Sequence, residues 1–518
     1  MNMKSDYLIR LLIVTPILVS LLFSCGSNTS EPAGPYTADW ESLAHHNEEP
    51  EWLKDAKFGI YFHWGVYCVP AFGNEWYPRH MHFKGFPEYN HHLEKYGHPS
   101  EFGYHDFVPM FKAEHFNAEE WTDLFVRAGA RFAGPVAEHH DGFSMWDSDA
   151  TPWNSMDMGP KRDITGEMRD AITGRGLKFI ATFHHSKNLQ RYKGMEEEVI
   201  NQEKNQSYQF RKSHYPLFPG MPPSMDHPER NYLYGNIPEE EWVETVWLAK
   251  LLEVVDNYQP DLIYFDSWLN HIPDTARRRF CAYYLNRAHE WNKDVVIVRK
   301  QMDLPLDVSI DDLEKSRKNT LEEKLWMTDE TVSTGSWCYT ENLGIKASND
   351  VLHVLIDIVS KNGVLLLNIS PKADGTIPDN QQKVLLDIGA WLDKYGEAIY
   401  DTRPWYTFGE GPTIEPEGHF SNAGAFQKIK YSAKDIRYTT NGETIYAIFL
   451  GKPEAGEELV LEAFSADRAG KKLSIEDVTL SGNEKPVNWN MTDEGLSVEL
   501  PGTELNEMSV VLKIETSS

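Results

Sequence analysis

Leu262-Ile263-Tyr264-Phe265-Asp266 is a run of four apolar residues that ends on a carboxylate. Short, almost uninterrupted apolar runs of this kind are strands buried on both faces. Working outward, comparable strand candidates are Lys57–His63, Arg131–Ala137, Leu177–His184, Val295–Arg299, Leu325–Thr328 and Val364–Ile369, with Asp261–Asp266 fourth in order. Helical patterns lie between several of them: Ala118–Ala128, Ile164–Arg175, Glu239–Tyr258, Asp274–Asn292, Asn349–Lys361 and Asn380–Tyr395. Asn117 and Glu120 give the first helix a capping-box start. Buried strands alternating with helices predict a parallel (β/α)-barrel, here with seven recognisable strands and an irregular stretch from Gln301 to Lys324.

After Trp405 the pattern becomes one of short strands, including Asp435–Thr440, Thr444–Leu450, Glu458–Glu462 and Ser509–Ile514. Turn signals such as Asn441-Gly442 and Ser481-Gly482-Asn483 separate them. A C-terminal β-sandwich is expected. Lys187–Pro238 is a long polar and aromatic insertion, a candidate substrate-facing loop.

The first 24 residues read as an export signal. Lys4 and Arg10 precede Leu11–Ser24, an uncharged stretch too short to span a bilayer. It runs Leu22-Phe23-Ser24-Cys25 into a polar segment, which resembles a bacterial lipobox. Cleavage before Cys25 and lipidation of Cys25 are expected, with the protein exported and anchored to a bacterial membrane. The chain then divides into a signal at 1–24, a tether at 25–49, a barrel at 50–405 and a sandwich at 406–518. Cys68, Cys281 and Cys338 form no close-spaced pair and read as buried free thiols.

Of 518 residues, 79 are acidic and 50 are Lys or Arg, a net charge of −29 that argues against a nucleic-acid partner. In a barrel, chemistry sits at the carboxyl ends of the strands. Here those ends read Phe62-His63-Trp64, Glu138-His139-His140-Asp141, Phe183-His184-His185, Phe265-Asp266 and Val298-Arg299. Imidazoles, rings, a cation and a carboxylate in register suit a polyhydroxylated ligand. Glu75-Trp76 adds an acceptor beside a stacking surface. The histidines are numerous enough to ligate a metal, but no H-E-x-x-H pattern occurs and adjacent strand residues face opposite ways, so neither metal nor cofactor is expected.

Trp52–Gly65, Glu75-Trp76-Tyr77, His139-His140-Asp141-Gly142-Phe143, Gly159–Asp163, Asp261–Asp266, Ser336-Trp337-Cys338-Tyr339 and Leu365–Pro371 together resemble the α-L-fucosidases of glycoside hydrolase family 29. The resemblance implies retaining hydrolysis of terminal α-L-fucosides of fucosylated glycans, by two carboxyl groups and through a covalent fucosyl-enzyme. Asp266 matches the family's nucleophile, with Arg299 placed to keep it ionised. Glu314, in the loop Leu313-Glu314-Lys315-Ser316-Arg317, is the candidate acid/base. His63, Glu75, Trp76, His139 and His140 match fucose-holding positions, and Trp337 a ring near the sugar. His185 stands where many members have Tyr, and Tyr264 replaces a common Trp. Cys338 and Ser267 stand where Gly is usual, and Glu138 where Lys is common. Without the resemblance, the same residues also fit a barrel glycosidase of another α-linked galacto-configured sugar, or a glycan-binding surface lipoprotein without turnover.

Overall fold

Eight parallel strands close on themselves in chain order: β1 (Phe58–Phe62), β2 (Phe132–Glu138), β3 (Lys178–Phe183), β4 (Leu262–Phe265), β5 (Val296–Arg299), β6 (Ile310–Asp312), β7 (Trp326–Thr331) and β8 (Gly363–Ile369). This computed structural model describes residues 32–82, 85–99, 101–190, 229–235, 237–266, 269–454, 456–470, 472–482, 484–501 and 505–517. All seven strands read from the sequence are present. The eighth, β6, lies inside the stretch that reads as irregular, because it is three residues long and two of them are aspartates.

Side chains alternate between the barrel interior and the helix layer. Tyr61, Phe132, Ile180, Leu262, Tyr264, Val298, Met327 and Leu366 fill the interior. Ile60, Phe62, Ile263, Phe265, Leu365 and Leu367 belong to the larger cluster shared with the helices. Gly59 is required by this packing, since a Cβ there would lie 2.1 Å from the Phe132 ring.

The α-helices of ten or more residues are α1 (Ala118–Arg127), α2 (Ile164–Gly174), α3 (Ala249–Tyr258, preceded by helical stretches Glu239–Trp242 and Val243–Leu248), α4 (Asp274–Trp291), α5 (Ser348–Ser360) and α6 (Asp379–Tyr395). Asn117 caps α1 by accepting from the backbone of Glu119 and Glu120. Glu120 answers by accepting from the Asn117 side-chain amide at 3.0 Å. Among the described residues no helix follows β5 or β6, so the helix ring is open on that side.

Nine strands among the described residues follow the barrel. β9 (Arg403–Glu410), β10 (Ile436–Asn441), β11 (Thr444–Phe449), β13 (Ser474–Leu480), β14 (Lys485–Pro486) and β17 (Val510–Ser517) form a six-stranded sheet in the order β14-β13-β17-β11-β10-β9. β12 (Glu458–Leu461), β15 (Asn488–Met491) and β16 (Leu496–Glu499) form a three-stranded one. Tyr438, Phe449, Phe464, Leu496, Val498 and Leu512 are part of the core between them.

The segment expected to be a tether is packed from Ala33 onward. Leu43 is fully buried, the Trp40 indole donates to Asp274, and His46 bonds the carbonyl of Val308. Burial of Leu43 and His46, with these bonds, holds the segment on the barrel, which corrects the expected span of 25–49. Cys25, the signal segment and most of the Lys187–Pro238 insertion lie outside the described residues. Cys68, Cys281 and Cys338 are buried free thiols.

Candidate active site

The period of two that points Leu262 and Tyr264 inward carries Asp266 to the interior side of the rim. The same alternation brings His63 up from β1, His184 from β3, Lys300 from β5, Asp312 from β6, Asp329 from β7 and Asn368 from β8. β2 reaches the rim differently. Its register against β3 shifts between Val136 and Glu138, a bulge that re-aims the residues beyond it. Glu138 turns outward to a buried ion pair with Lys250 at 2.7 Å, and His139 enters the pocket.

Asp266 is 7% exposed and has a cation on each oxygen. Lys187 Nζ lies 2.7 Å from Oδ2, Lys300 Nζ lies 2.9 Å from Oδ1, and His184 Nδ1 is 3.5 Å away. Burial works to raise the Asp266 pKa, but the two ammonium groups override it and hold the carboxylate well below its usual range. Lys300 is locked in place, with Glu314 at 3.1 Å, Asp312 at 3.8 Å and Asp329 at 3.9 Å. Lys187 has one carboxylate partner among the described residues, Asp266, and its ammonium lies 4.6 Å from the Trp76 ring centre.

Glu314 stands at the mouth, its side chain 36% exposed. Its backbone nitrogen donates to Asp312, and that of Lys315 donates to the carbonyl of Asp329. Glu314 and Lys315 are consecutive non-glycine residues with φ of 20° and 54°. Backbone of this kind persists where surrounding contacts impose it, and it concentrates at functional sites. Burial pushes the Glu314 pKa up; Lys300 prevails and lowers it. Below, Asp312 is pushed well above its usual range by burial and by Asp329.

Three imidazoles form the opposite wall. His63, His139 and His184 have ring centres 4.6–5.3 Å apart. Asn368 donates to Thr331 and to the Trp337 carbonyl, so its Oδ1 faces His63 Nδ1 at 2.8 Å. His63 Nδ1 therefore carries the proton, and Nε2 is an acceptor. Burial holds His63 and His139 well below the usual histidine pKa, so both are neutral. His139 Nδ1 and His184 Nε2 have no protein hydrogen-bond partner among the described residues. Glu75 is fixed by Ser336 and by the Trp337 backbone, Trp337 stacks on His63, and the Trp76 and His140 ring centres are 3.7 Å apart. Cys338 bridges by its backbone to His63, with its thiol beside the Ser336 hydroxyl.

His63, His139 and His184 each offer a ring nitrogen, all within 4.8 Å of one another, a spread that one metal ion or two sugar hydroxyls can bridge. The carboxylate beside the group, Asp266 at 3.5 Å from His184 Nδ1, is already paired with Lys187 and Lys300, which place positive charge next to the imidazoles. The surroundings favour hydroxyls.

Asp266, Glu314, His63, Glu75, Trp76, His139, His140 and Trp337 are thus brought to one pocket. Two expected residues are not. Arg299 is the outward residue of its strand, bonding Asp311 at 2.6 Å and the Leu304 carbonyl; Lys300 takes the role expected of it. His185 faces the helix layer, bonding the Trp247 carbonyl at 3.1 Å, and His184 is the pocket residue. Tyr264 is the floor beneath the pocket, its hydroxyl 3.3 Å from Asp312. Lys187 and Lys300 are pocket residues that the sequence reading misses, and His184 is read there as a strand ending but passed over for His185; strand alternation picks out His184 and Lys300.

A parallel barrel with Asp266 and Glu314 on one shared cation and a ring-lined, imidazole-rich pocket at the carboxyl ends of its strands has the arrangement of a barrel glycoside hydrolase. An α-L-fucosidase family model matches residues 23–397, and an α-L-fucosidase C-terminal domain model matches residues 430–515. The chain is 30% identical to the tissue α-L-fucosidase of Homo sapiens over 508 residues, 94% of this chain and 93% of that protein. It is 29% identical to the human plasma α-L-fucosidase, covering 90% of this chain and 89% of that one. The crystal structure of Thermotoga maritima α-fucosidase in complex with fucose superimposes with a TM-score of 0.69 at 27% identity, covering 92% of this chain and 99% of that chain. The same enzyme with a mechanism-based inhibitor gives 0.70, covering 93% and 100%. The chain belongs to the α-L-fucosidase family.

Proposed function

We propose that the protein releases terminal α-L-fucosyl residues from glycans with retention of configuration, Asp266 acting as nucleophile and Glu314 as acid/base. The observation that carries this is the shared ammonium of Lys300. It lies 2.9 Å from an Asp266 oxygen and 3.1 Å from a Glu314 oxygen, so the two oxygens are at most about 6 Å apart. Retaining glycosidases hold their carboxyl groups about 5–5.5 Å apart, whereas inverting ones need about 6.5–9.5 Å to admit a water. Asp266, ionised at any working pH, attacks the anomeric carbon while protonated Glu314 gives its proton to the leaving oxygen. Water then attacks the fucosyl-enzyme, and Glu314 takes its proton. Lys187 is the cation free to leave the attacking oxygen, since Lys300 is held by three further carboxyl groups. The neutral imidazoles and Glu75 take the sugar hydroxyls, and Trp76 and Trp337 its apolar face.

The relatives' names supply the fucose; the neutral histidines and ring walls are consistent with it. The protein is proposed to act outside the cytoplasm on a lipid anchor at Cys25, a reading supported by the uncharged stretch Leu11–Ser24 before that cysteine. The decisive experiment is incubation with a slow fluorinated α-L-fucoside and mass spectrometry of the digested protein. A fucosyl adduct on the Asp266 peptide is expected. First release of the inverted sugar anomer, with no adduct, would overturn the mechanism.

A further inference from the structure

The missing helix after β6 leaves a gap in the barrel's outer ring, and a cavity of about 310 Å³ lies there. Its walls are the outer face of β7 (Thr328, Glu330), α5 (Asp350, His353), and Phe426 and Tyr431. The Glu314 loop adds Lys315, Ser316 and Arg317, and the exposed Thr334 stands at the cavity's rim.

The charges around it do not balance. Lys346 is matched by Glu330 at 2.7 Å, and Lys430 by Asp350 at 2.5 Å. Arg317 reaches Asp357 at 3.5 Å, but Lys361 and Arg437 share that carboxylate, and Glu415 is the only other acid in the group among the described residues. Three cations thus rest on two carboxylates. Lys315 has no carboxylate within ion-pair distance among the described residues; its ammonium lies 4.0 Å from the Trp337 ring centre, at the edge of the fucose pocket. Ser316 is fully buried, and its hydroxyl has no hydrogen-bond partner among the described residues. A positive excess and an unspent hydroxyl suit an anion, in a chain whose net charge is −29.

We propose that this cavity is a subsite for an anionic group, a carboxylate or a sulfate ester, on the sugar that bears the fucosyl unit. This rests on the fucosidase reading with Glu314 as acid/base. The leaving sugar must lie on the side of the group that protonates its oxygen, and Lys315 is the next residue along. Lys315 and Ser316 are then the specificity determinants, Lys315 meeting the charge and Ser316 donating to it.

The test compares kcat/KM for a fucosylated disaccharide whose second sugar is sulfated or carboxylated with that for its neutral counterpart. A simple aryl α-L-fucoside serves as the reference, for the intact protein and for Lys315→Met. A preference of about tenfold or more for the charged aglycone is expected, lost in Lys315→Met. Thr334→Trp, which narrows the cavity from its exposed rim, should lose the preference while still cleaving the aryl fucoside. Equal rates on charged and neutral aglycones, with the aryl fucoside turned over, would overturn the subsite and leave the fucosidase reading intact. No turnover of the aryl fucoside would instead remove the reading beneath it. Inorganic sulfate should compete with the charged substrate; if sulfate alters aryl-fucoside rates but no aglycone preference exists, the cavity serves a free anion and the proposal is wrong.

Discussion

Asp266 and Glu314 share one counter-ion: the ammonium of Lys300 lies 2.9 Å from the first carboxylate and 3.1 Å from the second. The same contact that keeps the nucleophile ionised also works against protonation of the acid/base. Asp266 gains from this, because a nucleophile must be charged. Glu314 does not, because a general acid must carry its proton.

The pH profile should record that conflict. kcat/KM reports the free enzyme's groups. With the Glu314 pKa lowered by Lys300, its protonated fraction falls as pH rises through the acidic range, so kcat/KM should decline from an acidic optimum. In Lys300→Met that limb should move to higher pH, while the maximum falls because Asp266 loses one of its two cations. An unmoved limb would remove Glu314 from the acid role.

Stability should follow the histidines. Burial pushes His185 down to about 4, and His63 and His139 are also lowered. Between that value and the ordinary value near 6.5, the unfolded chain binds protons that the folded one refuses, so stability rises with pH across the window and levels off above it. The slope is on the order of 1.4 kcal/mol per pH unit for each such histidine. Asp266, depressed when folded, adds stability that is lost only below about pH 4. Urea titrations at several pH values measure this.

Dialysis against a chelator should leave fucoside hydrolysis unchanged, since the carboxylate beside the three imidazoles, Asp266, is held by two ammonium groups whose charge opposes a metal ion there. Lost activity that returns with a divalent ion would show that the histidines hold one.

Arg437 should contribute measurably to stability. Its guanidinium bonds Asp357 at 2.6 Å and Glu415 at 2.7 Å in a buried group. Arg437→Met would remove a cation from two buried carboxylates, at a cost of about 3–5 kcal/mol, read by thermal or urea denaturation. A change below about 1 kcal/mol would mean that solvent compensates for the loss.

Cys25→Ser should move the protein from the membrane fraction to the soluble one and abolish labelling with a radioactive fatty acid. Retention in the membrane fraction would point to another anchor.

The barrel is legible in the sequence because seven of its strands are buried on both faces and carry little but apolar residues. β6 is not, because Ile310-Asp311-Asp312 spends two of its three residues on charge. Asp266 and the pocket's imidazoles are legible as strand endings. The choices between Arg299 and Lys300, and between His185 and His184, depend on the alternation that puts Val298 and Thr182 inside, carried two residues further. Glu138 is beyond that reasoning, since a bulge after Val136 reverses the alternation. Lys187 lies past its strand, where no periodicity applies. The cationic cavity depends on a helix that is absent and on residues more than a hundred positions apart.

The open side of the barrel is closed by the chain's last quarter, through Arg437, Glu415 and Tyr431 against Arg317, Asp357 and Lys361. A chain stopped after the barrel would expose Arg317 and Lys361 to water with Asp357 alone between them. The barrel and the C-terminal sheets should therefore melt together in a single transition, and neither should survive as an autonomous fragment.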